Sequence, residues 1–344
     1  MQPGAYQQPY APQGYGYGYQ PPRKAAGGRT TVIVAIAAVI IVVGFTITMW
    51  SLLFGGSTDE TTTGPTTTTT TPTAPPAPPV EVPAPDMNPS DLPVPDSYDE
   101  AWQWVTGDPV YSGTITVPTD CTVQPVDVQT ASVSALEAHL NELTACLWRV
   151  WNPPLVAAGY ELPRPPATVY TQPITTACGD VDDLANAAYC AADQRIYFGK
   201  NVYQVVPANL RKAPFIVDTV IAHEFGHTVQ ARTGILISQA AWQQRSTTTK
   251  DQALEISRRK EMQADCLAGM FTSSVAAANH LSPADLKNLG LVIHATGDDV
   301  LNGQPGYVDD HGSGAARQSW FTAGQGSDQI ATCNTFIADS GKVH

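Results

Sequence analysis

Residues 219–231 read Thr-Val-Ile-Ala-His-Glu-Phe-Gly-His-Thr-Val-Gln-Ala, and the interpretation of the whole chain turns on them. On a helix, His223 and His227 stand four residues apart on one face, so both imidazoles can reach a single metal ion. Glu224 lies beside them, where its carboxylate can take a proton from water that the metal activates. A chain with 7 histidines would show this His-Glu-x-x-His spacing by chance only about 0.004 times. Val220, Ile221, Val229 and Ala231 keep the flanks in a helical frame, and a helix is expected over 214–232. A histidine pair that is merely solvated or satisfied in the core would not need the glutamate.

Two histidines do not complete a catalytic zinc site, which generally has three protein ligands and a water. The next helical stretch, about 250–279, contains Glu261-Met262-Gln263-Ala264-Asp265, again with carboxylates four apart. Such a pair usually marks a solvated face. Here Ala264, Leu267, Ala268 and Met270 surround it, and a buried carboxylate pair without a cation would be costly. The arrangement is similar to that of thermolysin-like zinc peptidases. That resemblance implies one Zn²⁺ held by His223, His227 and Glu261, with Glu224 as general base and Asp265 orienting a ligating histidine.

Upstream, the composition changes twice. Thr31–Phe54 is a run of 24 residues without an ionisable side chain. At about 1.5 Å per residue it can cross a bilayer core of about 30 Å. It is longer than the apolar region of a cleaved signal peptide. Arg23, Lys24 and Arg29 precede it, and Asp59 and Glu60 follow, so a single pass with the N-terminus in the cytoplasm is expected. Residues 1–30 are expected to be a disordered cytoplasmic tail and 55–96 a Thr/Pro-rich stalk. Residues 97–344 are expected to form one extracytoplasmic domain.

The chain carries 18 Lys+Arg against 31 Asp+Glu, a net charge of −13. Beyond residue 58 the net charge is near −16, which argues against nucleic acid as a partner. Peptide or protein substrates and the lipid bilayer (through 31–54) are the expected partners; oligomeric state is open. Cys121, Cys146, Cys178, Cys190, Cys266 and Cys333 all follow the span. An even count in an exported domain suggests three disulfides, and fifteen connectivities remain open.

Secondary structure reads as α+β, mostly helical with a small sheet. Val133, Leu136, Leu140, Leu143, Leu147 and Val150 recur at helical spacing, while Ala167–Tyr170 and Arg195–Phe198 are short strand-like runs. Ser282 and Pro283 open a further helix.

Several separated blocks together resemble the bacterial family known as putative neutral zinc metallopeptidases, over about residues 130–340. They are Ala177-Cys178-Gly179, the run Tyr189–Tyr197, the helix Ile221–Gln230 and the run Glu261–Gly269, followed by Thr296-Gly297-Asp298-Asp299, His311-Gly312-Ser313, Ser319-Trp320-Phe321 and Cys333-Asn334-Thr335-Phe336. Where that family usually has Cys-Pro-x-Asp, this chain has Cys190-Ala191-Ala192-Asp193. The resemblance implies a zincin-like fold and the disulfides Cys178–Cys190 and Cys266–Cys333, with Cys121 and Cys146 remaining as the third pair. A Cys266 bound in this way is not a metal ligand. Arg195–Phe198 could serve as a strand at the cleft edge that pairs with substrate, or as a structural hairpin. His311 and Tyr307, in a Gly-rich segment, are candidates for stabilising an oxyanion; His311 is the catalytic candidate, with a turn-stabilising role as the alternative. His139, His280, His294 and His344 have no partner pattern and are read as non-catalytic.

The function expected is a membrane-anchored extracytoplasmic zinc endopeptidase. The alternatives are a zinc-stabilised adaptor that has lost catalysis and a zinc amidase acting on cell-wall peptide.

Overall fold

The computed structural model describes residues 81–344. The expected tail, the Thr31–Phe54 span and the stalk as far as residue 80 lie outside the described residues. Among the described residues, no helix is long and apolar enough to cross a membrane.

Helices predominate over a small sheet, an α+β arrangement. A short helix, α1 (Tyr98–Gly107), is followed by α2 (Val133–Ala157). Leu136, Leu140, Leu143 and Leu147 of α2 are fully buried, so the three-and-four repeat faces the core. Helix α2 runs on past Val150 through Pro153 and Pro154. Trp151 and Leu155 bury completely there, and their packing outweighs the two N–H donors that proline lacks.

Strand β1 (Ala167–Tyr170) leads to a hairpin of β2 (Ile174–Thr176) and β3 (Gly179–Val181), then to β4 (Ala187–Cys190) and β5 (Arg195–Gly199). The main sheet has the order β1-β5-β4. Of the two readings of Arg195–Phe198, the hairpin is the one observed, and the cleft-edge reading is corrected. β5 pairs in parallel with β1 (Ala167↔Ile196) and antiparallel with β4 (Ala187↔Phe198), so both its ladders are taken. Among the described residues the outer strands of this sheet are β1 and β4.

Helices α3 (Ile216–Arg232), α4 (Ile235–Gln243), α5 (Lys250–Ser274), α6 (Pro283–Ala295), α7 (Asp298–Leu301) and α8 (Gly314–Gln325) complete the order. Every residue of α3 except Val220 is buried, because sheet and helices cover it on all sides. Helix α5 opens with a capping box between Thr249 and Gln252, and α6 with one between Ser282 and Asp285. Helices α5 and α8 meet backbone to backbone at Gly269 and Gly324. A Cβ on the first would collide with the Phe321 carbonyl, and on the second with the Cys266 carbonyl.

The cysteines are bonded as Cys121–Cys146, Cys178–Cys190 and Cys266–Cys333, with Cα separations of 5.3, 5.7 and 5.5 Å. These are the pairs that the family resemblance implies. The packed unit also begins before Ser97. The Asp86 N–H donates to the Arg164 carbonyl (2.9 Å), and the buried Arg232 guanidinium donates to the Ser90 carbonyl and hydroxyl (2.9 Å each). A proline-rich strand without a ladder of its own still offers carbonyls, and a buried arginine fixes them here.

Candidate metal centre

Helices α3 and α5 cross where Gly226 faces Ala264; a Cβ on Gly226 would lie 3.0 Å from the Ala264 Cα. This close approach brings the two sequence motifs together. His223, His227 and Glu261 each direct a ligand atom to one point, all within 4.8 Å of one another. Glu261 Oε2 lies 3.2 Å from His223 Nε2 and 3.4 Å from His227 Nε2. The three residues are buried.

The remaining ring nitrogens are held by different partners. His223 Nδ1 is 2.8 Å from Asp265 Oδ1. Asp265 in turn receives the buried Arg317 of α8, with Nε at 2.8 Å from Oδ2 and Nη2 at 3.0 Å from Oδ1. His227 Nδ1 is 2.8 Å from Gln230 Oε1. The tautomer of His227 follows from carbonyls that can only accept. Gln263 Nε2 donates to the Cys333 carbonyl (3.1 Å) and to Tyr111 Oη (2.8 Å). Its oxygen therefore accepts from Gln230 Nε2 (3.0 Å), which also donates to the Lys260 carbonyl (2.8 Å). Gln230 Oε1 must then accept from His227 Nδ1–H, leaving Nε2 with a lone pair that faces Glu261.

Electrostatics favour a cation at this point. Burial would raise the Asp265 carboxyl, but Arg317 and His223 outweigh it and lower its pKa. Burial likewise opposes ionisation of Glu261, yet Lys260, His227 and His223 hold it well below the usual carboxylate range. At His223 burial disfavours the imidazolium, but Asp265 and Glu261 prevail and push the pKa up to about 10. Two imidazole nitrogens and one carboxylate oxygen, all turned inward, are a donor set that suits a catalytic zinc ion.

Glu224 is buried beside these residues, and its Oε2 accepts the main-chain N–H of Tyr189 at 2.8 Å. The edge strand β4 is thereby tied to the motif helix. His311 sits in the segment after α7, which Asp298 organises by accepting the N–H groups of Asp309 (2.7 Å), His311 (3.2 Å) and Gly312 (2.7 Å). The His311 ring is half exposed, with Nδ1 at 2.8 Å from Asp310 Oδ1. Surrounding protein disfavours its charged form, but Asp310 and the charge of Glu261 raise its pKa. The Tyr307 hydroxyl turns to Asp309 (2.9 Å). His139, read as non-catalytic, is a buried partner of Asp218 at 2.8 Å on α3.

Arg317, Gln230, Lys260 and the Tyr189 N–H were not singled out from the sequence. Gln230 had a signal, since it stands three residues after His227 on the same helix. Arg317 lies 52 residues from Asp265 and has no local signature.

A family described as "Putative neutral zinc metallopeptidase" matches residues 112–336. Among curated proteins, "Uncharacterized protein YpfJ" of Escherichia coli (strain K12) is 32% identical over 227 residues, 62% of this chain and 78% of that protein. "Uncharacterized protein Rv2575" of Mycobacterium tuberculosis (strain ATCC 25618 / H37Rv) is 31% identical over 206 residues, 55% of this chain and 67% of that one. No solved structure gives a significant match.

Proposed function

Because the chain belongs to the neutral zinc metallopeptidase family, which implies zinc and a peptide or protein substrate, we propose that it is a membrane-anchored, extracytoplasmic zinc endopeptidase. The observation that carries this reading is the convergence of His223, His227 and Glu261 on one point, with Glu224 on the same helix as the two histidines. These three side chains would hold one zinc ion. When bound, zinc makes water more acidic and polarises the scissile carbonyl.

Glu224 accepts the proton of the attacking water and delivers it to the departing amine nitrogen. The Tyr189 N–H engages Oε2 of Glu224 and leaves Oε1 for that transfer. Asp265 and Gln230 hold the two rings with Nε2 inward. His311 offers a donor to the oxygen that gains charge at the carbonyl. β4, whose outer edge is not taken by another strand among the described residues, presents the extended backbone along which a peptide can lie.

The location rests on the Thr31–Phe54 span, the cations before it and three disulfides, which suit an oxidising compartment. The deciding assay presents a mixed peptide library and cell-wall fragments to the protein with and without chelator. Glu224→Gln should retain zinc and lose hydrolysis by about 10²–10⁴-fold. Cleavage by Glu224→Gln at the native rate would overturn the assignment. Protease added outside intact cells should remove the domain, and full protection would overturn the topology.

A further inference from the structure

We propose that Lys260 is a positioning residue that confines Glu261 to single-oxygen ligation of the metal. The inference rests on the metal-centre reading above and concerns how the third ligand is held. The two oxygens of Glu261 have different neighbours. Oε2 faces His223 Nε2 at 3.2 Å and His227 Nε2 at 3.4 Å, whereas Oε1 is 2.6 Å from the Lys260 ammonium. The ammonium draws Oε1 to its own side, and turning that oxygen toward a second cation would cost the charge-assisted contact.

Helix geometry does not supply this contact. Residues i and i+1 diverge by about 100° around an α-helix, so adjacent side chains do not face each other. The Lys260 chain must fold across to reach its neighbour. Nor is this an inexpensive surface pair. Lys260 is only 8% exposed and Glu261 4%, and burying an ion pair gains little stability over an apolar pair of similar size. Lys260 is also fixed through its main chain, because its carbonyl accepts Gln230 Nε2 at 2.8 Å. Gln230 holds His227, so one residue restrains two of the three ligands, one through its side chain and one through its backbone.

A carboxylate can ligate through one oxygen or two. Holding Glu261 to one leaves three protein donor atoms and an open position, the arrangement that catalytic zinc sites use. Without the ammonium, Oε1 is free to turn inward, and the ligand count rises by one.

The test uses the full-length protein in detergent with Co²⁺ in place of zinc, since the visible band of Co²⁺ weakens as its ligand number rises. The wild type should show the strong band of a four-coordinate ion. Lys260→Met should bind Co²⁺ with unchanged stoichiometry but lose roughly half of the band intensity as the site becomes five-coordinate. Its kcat should fall about 10-fold at unchanged KM, and Lys260→Arg should restore the band. A Lys260→Met spectrum that superimposes on the wild type overturns the proposal. So does a weak, five-coordinate band in the wild-type protein, a result that needs no variant to fold. Binding of Co²⁺ that survives His223→Ala with His227→Ala would instead overturn the metal-centre reading, and this inference with it.

Discussion

The two histidines of the motif look alike in sequence but are backed by different chemistry. His223 leans on a charged chain, Asp265 and then Arg317, that crosses from α3 through α5 to α8. His227 leans on a neutral chain, Gln230, Gln263 and Tyr111, that ends on carbonyl oxygens. A carboxylate makes its ring more basic and attracts positive charge; an amide fixes the ring's tautomer without adding charge. The difference suggests a division of labour in which the His223 side supplies affinity and the His227 side supplies orientation.

The most severe way to break that comparison is Arg317→Met. It leaves Asp265 buried against His223 without its guanidinium, and it should cost about 3–5 kcal/mol in urea unfolding of the zinc-free protein. A loss below 1 kcal/mol would show that Asp265 does not depend on α8. A pH series on chelator-stripped protein tests the same side. The pKa of His223 is about 10 in the fold against 6.5 for an ordinary histidine, so the folded state binds the extra proton. That contribution is complete below pH 6.5 and is lost as pH rises through about 10, a decline of a few kcal/mol. In Asp265→Asn the decline should largely vanish, and in Gln230→Leu it should persist.

Zinc affinity sharpens the contrast further. By competition with a chelating dye, Asp265→Asn should weaken binding by about 100-fold and Gln230→Leu by about 10-fold. Equal losses would erase the proposed division. The smallest effect is expected at Tyr189→Phe. The phenol oxygen is buried without a hydrogen-bond partner among the described residues, so stability should change by no more than about 0.5 kcal/mol, with zinc content unaltered.

The parts of this site that could be read from the sequence share one property: their spacing matches the helical repeat. His223 and His227, and Glu261 and Asp265, each stand four apart and declare a common face. Their joining could be expected only from the resemblance, because the Gly226–Ala264 crossing that produces it is a long-range contact. Arg317 stayed hidden for the same reason. The choice between hairpin and cleft edge for β5 stayed open in the sequence because alternation reveals a strand but not its neighbours, and its position between β1 and β4 is a matter of topology. The contacts made before Ser97 were not legible because proline content reports the absence of regular structure, whereas Ser90 is held by a distant arginine.

One contact bears on how freely this protein can vary. The group that holds Glu224 is the main-chain N–H at position 189, not a side chain. No exchange of side chain can delete that donor, and only proline lacks it. Selection can therefore alter the residue at 189 to suit packing, or the substrate proposed to lie along β4, while the proposed general base keeps its anchor. The proposed chemistry is thereby buffered against drift at the strand along which the substrate is proposed to lie.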